Sequence, residues 1–280
     1  PGAGAGGTVN ISTTSLTGSG TISANGGDCY SNYGGGGGGR VAISLSSGTD
    51  FSDISFQTYG GDGTSNTEGA PGTIYLEDSS DGTGQGELII DNNSVDANPA
   101  KTLINNANHS AGVTVGSIRV RNNGIFKVGT GTTLTLIGSG TTVEVDSSSV
   151  LNNSGTLVVS GTGGYLAGSF VNDTDVGSVV NYTGNQANTG ATILNTTYSS
   201  LGFSNTGTVF TAPFDITSST VVGDLSMTGN TTLSVTGSWT GVGGTFSGDI
   251  GTVRMSGVGD ASTALEVNAS TTFNNFSIND

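Results

Sequence analysis

Charge is scarce in this 280-residue chain: 10% of its residues are charged, and only six are Lys or Arg. Against 21 Asp and Glu they leave a formal net charge of -15, and no cation occurs between Lys127 and Arg254. Nucleic acid is bound by cationic neutralisation of phosphates, and anionic lipid headgroups ask for the same basic clusters, so neither is an expected partner. Cys29 is the only cysteine, which rules out a disulfide within the chain; it reads as an incidental thiol. His109, the only histidine, sits in "NANHS" and reads as an ordinary turn residue. A histidine zinc site or a Ser-His-Asp triad would have to be built around it alone. No apolar run approaches the roughly 20 residues of a membrane helix, so direct membrane insertion is not expected. Strong helix formers are few, which argues against helices.

What is present is small and polar: 50 Gly, 42 Thr, 37 Ser and 25 Asn. Short alternating runs of Val, Ile, Leu and Phe recur between them. Thr and the β-branched residues fit a pleated surface, while Gly, Asn and Ser supply turns. The chain is expected to be nearly all β.

Self-similarity organises these runs. "GGTVNI" (6–11), "GGRVAI" (38–43) and "PGTIYL" (71–76) share a small-residue stretch followed by an alternating strand. "TISANGGD" (21–28) is matched by "SFQTYGGD" (55–62). The repeating unit is therefore strand, Gly-Gly-Asp turn, glycine-rich loop, strand. The six glycines Gly34 to Gly39 are one copy of that loop. A phosphate-cradling loop would carry Lys-Ser/Thr after its last glycine, with a helix behind it; here Arg40-Val41-Ala42-Ile43 follows, which is strand chemistry. Glycine belongs where φ is positive or where another backbone comes close.

From 116 to 160 the strands shorten to "SIRV", "IFKV", "TLTLI", "TVEV", "SVL" and "TLVV", each starting about eight residues after the last. Three such strands make about 25 residues, the size of one coil of a stacked solenoid. In the last third, "GSVVNYTG" (177–184) corresponds to "GTVRMSG" (251–257), and "YSSLGFSN" (198–205) to "FNNFSIND" (273–280). The expected organisation is 1–100 as Gly-rich β repeats of about 33 residues, 101–176 as a short-coil β-solenoid, and 177–280 as two copies, the second incomplete, of a 75-residue β repeat, in one continuous elongated body.

The run "LTLIGSGTTVEVDSSSVLNNSGTLVVSG" resembles the filamentous-haemagglutinin and autotransporter-passenger class of bacterial β-helices. "GGGGGGRVAI", "GAPGTIYL" and "TTFNNFSIND" look like glycine-rich repeats of very large bacterial surface proteins. The resemblance implies an extended, secreted, non-enzymatic surface protein, and carries over no catalytic residues. The expected fold is a right-handed parallel β-helix (β-solenoid) with Gly-rich loops; tandem β-sandwich repeats are the alternative. The expected function is an extracellular or cell-surface structural or adhesive protein, part of a stalk, adhesin shaft or self-assembling filament. The alternative is a carbohydrate-binding or carbohydrate-degrading β-helix protein. The partners are then other copies of itself or further repeats of the same chain, end to end, and surface glycans. The chain opens at Pro1 rather than Met and carries no signal peptide, which is read as an upstream segment having been removed.

No cofactor is called for except calcium, for which Asp28 and Asp62 are the candidate ligands. They follow Gly-Gly in equivalent positions, and carboxylates on such segments suit hard cations. Neither fits the tighter nonapeptide spacing of calcium β-rolls, and a turn aspartate is the simpler reading. Asp78, Asp81, Asp91 and Asp96 form a second acidic stretch with the same reading. A glycan-cleaving enzyme would need a carboxylate pair across the scissile bond. Asp173 and Asp175 are two apart but read as a turn, so no catalytic residue is assigned. Of the aromatic residues, Trp239 is the only tryptophan.

Overall fold

The computed structural model describes residues 2–29, 33–64, 67–95, 100–107, 109–138, 141–160, 165–168, 170–172, 178–183, 191–192, 197–204, 209–212, 220–221, 224–228, 231–235, 242, 245–249, 251–255, 273 and 275–278. Asp96, Asp173, Asp175 and Trp239 lie outside them. Among the described residues every regular element is a strand.

In chain order these are β1 (Thr8–Thr13), β2 (Ser19–Ser23), β3 (Arg40–Leu45), β4 (Asp53–Gln57), β5 (Thr73–Glu77) and β6 (Glu87–Asp91). Next come β7 (Thr102–Ile104), β8 (Val113–Val115), β9 (Ser117–Arg121), β10 (Ile125–Val128), β11 (Thr133–Leu136), β12 (Thr141–Val145), β13 (Val150–Asn153) and β14 (Thr156–Val159). β15 (Tyr165–Gly168), β16 (Phe170–Asn172), β17 (Val179–Tyr182), β18 (Ala191–Thr192), β19 (Ser200–Ser204) and β20 (Val209–Ala212) follow. The last are β21 (Leu225–Thr228), β22 (Thr232–Val235), β23 (Phe246–Ser247), β24 (Thr252–Met255) and β25 (Asn275–Ile278). Pairing is mostly parallel. The chain divides into two compact units, one of Pro1–Ile104, Thr114–Lys127 and Val143–Asn152, the other of Asn105–Val113, Val128–Thr142 and Asn153–Asp280.

In the first unit, β1, β3 and β5 pair in parallel, Val9 opposite Val41 and Val41 opposite Ile74. β2 and β4 form a second parallel pair. Ala24, Val41, Ile43, Leu45, Ile74 and Ile89 form a buried cluster, joined by Ile22 from β2 and Phe56 from β4. Each such side chain contributes about 1.5–3 kcal/mol when fully buried.

Each of these strands continues into, or emerges from, an extended glycine-rich row: 2–7, 24–29, 34–39, 58–63 and 67–72. The rows are neither strand nor turn. The expected Gly-Gly-Asp turns and glycine loops are instead a lattice of backbones. Row 34–39 bonds row 2–7 (Gly6 N–H to Gly37 O, 2.8 Å), row 24–29 (Gly36 N–H to Gly27 O, 2.9 Å), row 58–63 (Gly61 N–H to Gly36 O, 2.8 Å) and row 67–72 (Gly38 N–H to Ala70 O, 2.9 Å). A sheet strand has two neighbours; this row has four. None of the glycines in these rows is among those with positive φ. They are glycine because a Cβ on Gly26, Gly35, Gly38 or Gly61 would stand 1.9–2.0 Å from a neighbouring carbonyl oxygen. This is the close-approach use of glycine, as at the collagen axis.

β5 and β6 pair antiparallel, Ile74 opposite Ile89 and Tyr75 opposite Leu88. From β6 the ladder is parallel again, with Leu88 opposite Ile118, Ile90 opposite Val120, and then Val120 opposite Val145. Ile89 belongs to the first cluster, whereas Leu88 and Ile90 sit in the alternate positions, with Ile118, Val120, Val143 and Val145 buried beside them. The buried side of the sheet therefore changes at this joint, and Leu88, Ile89 and Ile90 are all buried. That is why "ELIID" is an unbroken apolar run where its neighbours alternate.

β9 to β14 stand where the eight-residue spacing put them. Every third strand is adjacent: β9 with β12, β10 with β13, β11 with β14. Val143, Val145, Leu157 and Val159 are at most 4% exposed while Glu144 is exposed, as alternation predicts. In the second unit Leu134, Leu157, Val180, Leu201 and Leu225 face one another along successive strands. Tyr182 and Phe203 stack beside them with ring centroids 5.8 Å apart. β18, β20, β22, β24 and β25 make a further parallel sheet. The corresponding stretches 177–184 and 251–257 place β17 and β24 in different sheets.

Candidate functional site

Charge gathers on the outer face of β6, β9 and β12. Period-2 alternation puts Glu87 and Asp91 on one side of β6, Arg119 and Arg121 on one side of β9, and Glu144 beside Val145 on β12. The register sets Arg119 opposite Glu144 and Arg121 opposite Asp91. An acid–base–acid trio and an acid–base pair result. Arg119 Nη2 lies 3.0 Å from Glu87 Oε1 and its Nε 3.1 Å from Glu144 Oε2. Arg121 Nε lies 2.7 Å from Asp91 Oδ2, and the Asp91 side chain is only 4% exposed. Half-exposed pairs such as Arg119–Glu144 contribute about 0–1 kcal/mol. Asp91 is different, because a buried carboxylate without its cation costs several kcal/mol.

The corner after each strand is held by the same carboxylates. Asn93, Ser94, Asn122 and Asn123 have φ of 50–64°, a left-handed conformation that Asn tolerates. Asp91 Oδ1 accepts the Asn93 N–H (2.9 Å) and Asn122 Nδ2 (3.0 Å), and Asp146 Oδ2 accepts the Asn122 N–H (2.6 Å). Burial pushes the Glu87 carboxyl up, and the Arg119 and Arg121 guanidiniums only partly oppose it. Burial also acts on Asp146, but the Asn122 N–H and Ser148 bonds outweigh it and hold that carboxyl below its usual range. Tyr59, half-buried, is close enough to feel both Asp91 and Arg121; its phenol is pushed up by burial and by Asp91.

Arg119, Val120, Arg121, Asn122, Glu144 and Asp146 line an open groove of about 510 Å³. Arg121 bonds through Nε, and its two terminal amines have no partner among the described residues. The groove thus offers guanidinium and amide donors beside carboxylate acceptors. That donor set suits a neutral, hydroxyl-rich ligand, because four carboxylates against two guanidiniums repel an anion.

The residues singled out in sequence stand elsewhere. Asp28 and Asp62 are both exposed, and Asp28 Oδ1 accepts the Asp62 N–H at 2.8 Å. The carboxylate of one repeat thus caps the backbone of the next. Asn25 Oδ1 does the same for the Tyr59 N–H, also at 2.8 Å. Cys29 lies in the same row, its N–H bonded to Asp62 O at 2.8 Å. No group of three or more His, Cys, Asp or Glu converges to hold a metal among the described residues. Asp78 is held below its usual range, chiefly by the Ser80 hydroxyl, and Asp81 is pushed up by burial. The groove itself went unread in sequence. Its signal was available: "SIRVR" sets two arginines on one strand face, and "TVEVD" sets two acids likewise.

Compared with known proteins, the chain matches no family model, no curated protein and no solved structure.

Proposed function

We propose that the chain is an extracellular or cell-surface structural and adhesive protein, its parallel strands wound as a right-handed β-helix and its body forming part of a stalk, adhesin shaft or self-assembling filament. The observation that carries this reading is the glycine lattice, in which row 34–39 spends its backbone bonds on four other rows. Such a wall is held by directional bonds between main chains. Its use is mechanical. The parallel ladders from β11 through β21 extend the same principle, each strand setting the register of the next. Immunogold electron microscopy of intact source cells tests it. Label along surface projections supports the proposal; label confined inside the cell overturns it.

A second reading, carbohydrate binding, is favoured by the groove that Arg121, with its unengaged terminal amines, shares with the Glu144 and Asp146 carboxylates. Glycan-array binding that Arg121→Ala abolishes supports it. An array with no signal, or one indifferent to that substitution, removes it.

A further inference from the structure

The second strand of each repeat recurs at a fixed step: "SGTIS" (19–23) is β2, "DISFQ" (53–57) is β4 and "ELIID" (87–91) is β6. Ser19 stands opposite Asp53 in the parallel ladder of β2 and β4, and the same step from Asp53 reaches Glu87, the first residue of β6. The third repeat even enters its turn as the others do. Ser79 N–H bonds Gly48 O at 2.9 Å, as Ser46 and Ser47 bond Thr13 and Thr14. The chain then doubles back, with Gly84 at φ 74° and Gln85 N–H on Gly82 O at 2.8 Å, and β6 lies antiparallel on β5. β4 is thereby left with β2 on one side and no strand on the other among the described residues.

In a parallel pair, alternate residues turn both main-chain groups to the neighbour and the others turn both away. Ala24 N–H bonds Gln57 O at 2.8 Å, so Asp53, Ser55 and Gln57 serve β2 while Ile54 and Phe56 face outward. Farther along the same outward side, Thr58 O accepts Gly72 N–H and Gly60 N–H donates to Asn92 Oδ1 at 2.9 Å. The main-chain groups of Ile54 and Phe56 have no partner there among the described residues. Phe56 is partly buried, stands opposite Ile22 and meets Phe51 edge-on with ring centroids 6.0 Å apart. Asp53 and Ser55, on the other face, are exposed. Asp50, also exposed, precedes the strand, and the turn carrying Asp78 and Asp81 is bonded to Gly48 just before it. Between Arg40 and Lys101 the chain has ten Asp and Glu and no Lys or Arg.

We propose that the outward edge of β4 is a docking site for an extended, cationic segment of a partner protein, which adds to the sheet as a further strand. The main-chain groups of Ile54 and Phe56 supply the affinity, and alternate side chains of the partner supply the selectivity. A side chain beside Phe56 continues the Ile22–Phe56 row and is apolar. Side chains beside Asp53 and Ser55 meet an acidic, hydroxyl-bearing face and are basic. The charge decides against a second copy of this chain, since β4 offers an aspartate and no cation to another β4, and like charges across a ladder destabilise it.

Titration of the 280-residue chain with a capped peptide of alternating Lys and Val, read by calorimetry and by amide exchange, is the test. Binding should slow exchange at Ile54 and Phe56 and leave Ser55 and Gln57, which already serve β2, as they were. A Glu/Val peptide should not bind, nor should a Lys/Pro peptide, which has the same charge but cannot donate to an edge. Asp53→Lys, at an exposed position, should weaken the Lys/Val peptide at least about tenfold. Ile54→Pro removes an outward N–H and no bond to β2, a placement that edge strands accept; with the parent's circular dichroism it should bind no peptide. The proposal is overturned if the Lys/Val peptide does not bind, or if the Lys/Pro peptide binds equally well. Binding that leaves exchange at Ile54 and Phe56 unchanged overturns it, and so does protection of these amides by concentration alone, which would make a second copy the occupant.

Discussion

Gly36 and Gly37 are adjacent in the six-glycine row, yet replacing each with alanine should have opposite outcomes. A Cβ on Gly37 finds only Ala70 O, at 3.8 Å, an ordinary contact. A Cβ on Gly36 stands 1.9 Å from Gly4 O, 2.6 Å from the Gly4 carbonyl carbon and 3.1 Å from Gly27 N. Since real Cβ contacts stay above 3.0 Å, the rows must open by roughly 1 Å, and a hydrogen bond stretched that far is lost. Three bonds meet there: Gly36 N–H to Gly27 O (2.9 Å), Gly61 N–H to Gly36 O (2.8 Å) and Gly27 N–H to Gly4 O (2.9 Å). Gly36 and Gly61 are buried whereas Gly4 and Gly27 are exposed, so two of these bonds involve buried groups. At about 1–3 kcal/mol for each, less about 0.4–1 kcal/mol for the stiffer unfolded chain, Gly36→Ala should cost about 1–6 kcal/mol. Gly37→Ala, with only the unfolded-chain effect, should be neutral or stabilising by up to about 1 kcal/mol. Urea unfolding followed by circular dichroism, with exchange at the Gly61 and Gly36 amides as the local readout, measures both. Equal stabilities for the two variants, within about 0.5 kcal/mol, would refute the lattice as the reason for glycine.

Val145→Asp puts an unpaired charge at a position 4% exposed and should lower stability by several kcal/mol; a melting temperature within a degree of the parent's would contradict the inward assignment. A calcium chelator should leave melting and circular dichroism unchanged, because Asp28 already serves the Asp62 N–H; a large drop would make both aspartates ligands. Tyr75 is pushed up to about 12 by burial and by its hydrogen bond to Glu77. Its contribution to stability is present below pH 10 and is lost as pH rises towards 12. Absorbance titration should show this late phenol, and Tyr75→Phe should remove it; a phenol titrating normally at 10 would sink the assignment.

Much of the strand framework was readable because alternation reports directly on burial: β9 to β14 and the inward set Val143, Val145, Leu157 and Val159 followed from period 2 alone. The lattice was not readable, since glycine serves positive φ and close approach equally and leaves no side-chain pattern to tell them apart. The arginine–carboxylate groove needed the register of β6 on β9 and β12, which juxtaposes residues 25–30 positions apart. The likeness of 177–184 to 251–257 reflects strands punctuated by glycine, a local pattern that both sheets of the second unit use, so it could not say in which sheet each strand lies. "ELIID" announced double-sided burial, but only the antiparallel joint with β5 explains it.

That joint also makes the N-terminal repeat a unit of length. β1, β3 and β5 bury one face in the cluster that Ile22 of β2 and Phe56 of β4 join, and each repeat of 33 or so residues meets the next through main-chain bonds between their rows and strands. Removing one repeat, residues 40–72, would join Gly39 to Thr73 and reproduce the junction Gly72 now makes with it. β6, covered on both sides, admits no such exchange. The chain can therefore be shortened or extended in whole repeats ahead of β5 while β6, β9 and β12 keep their register.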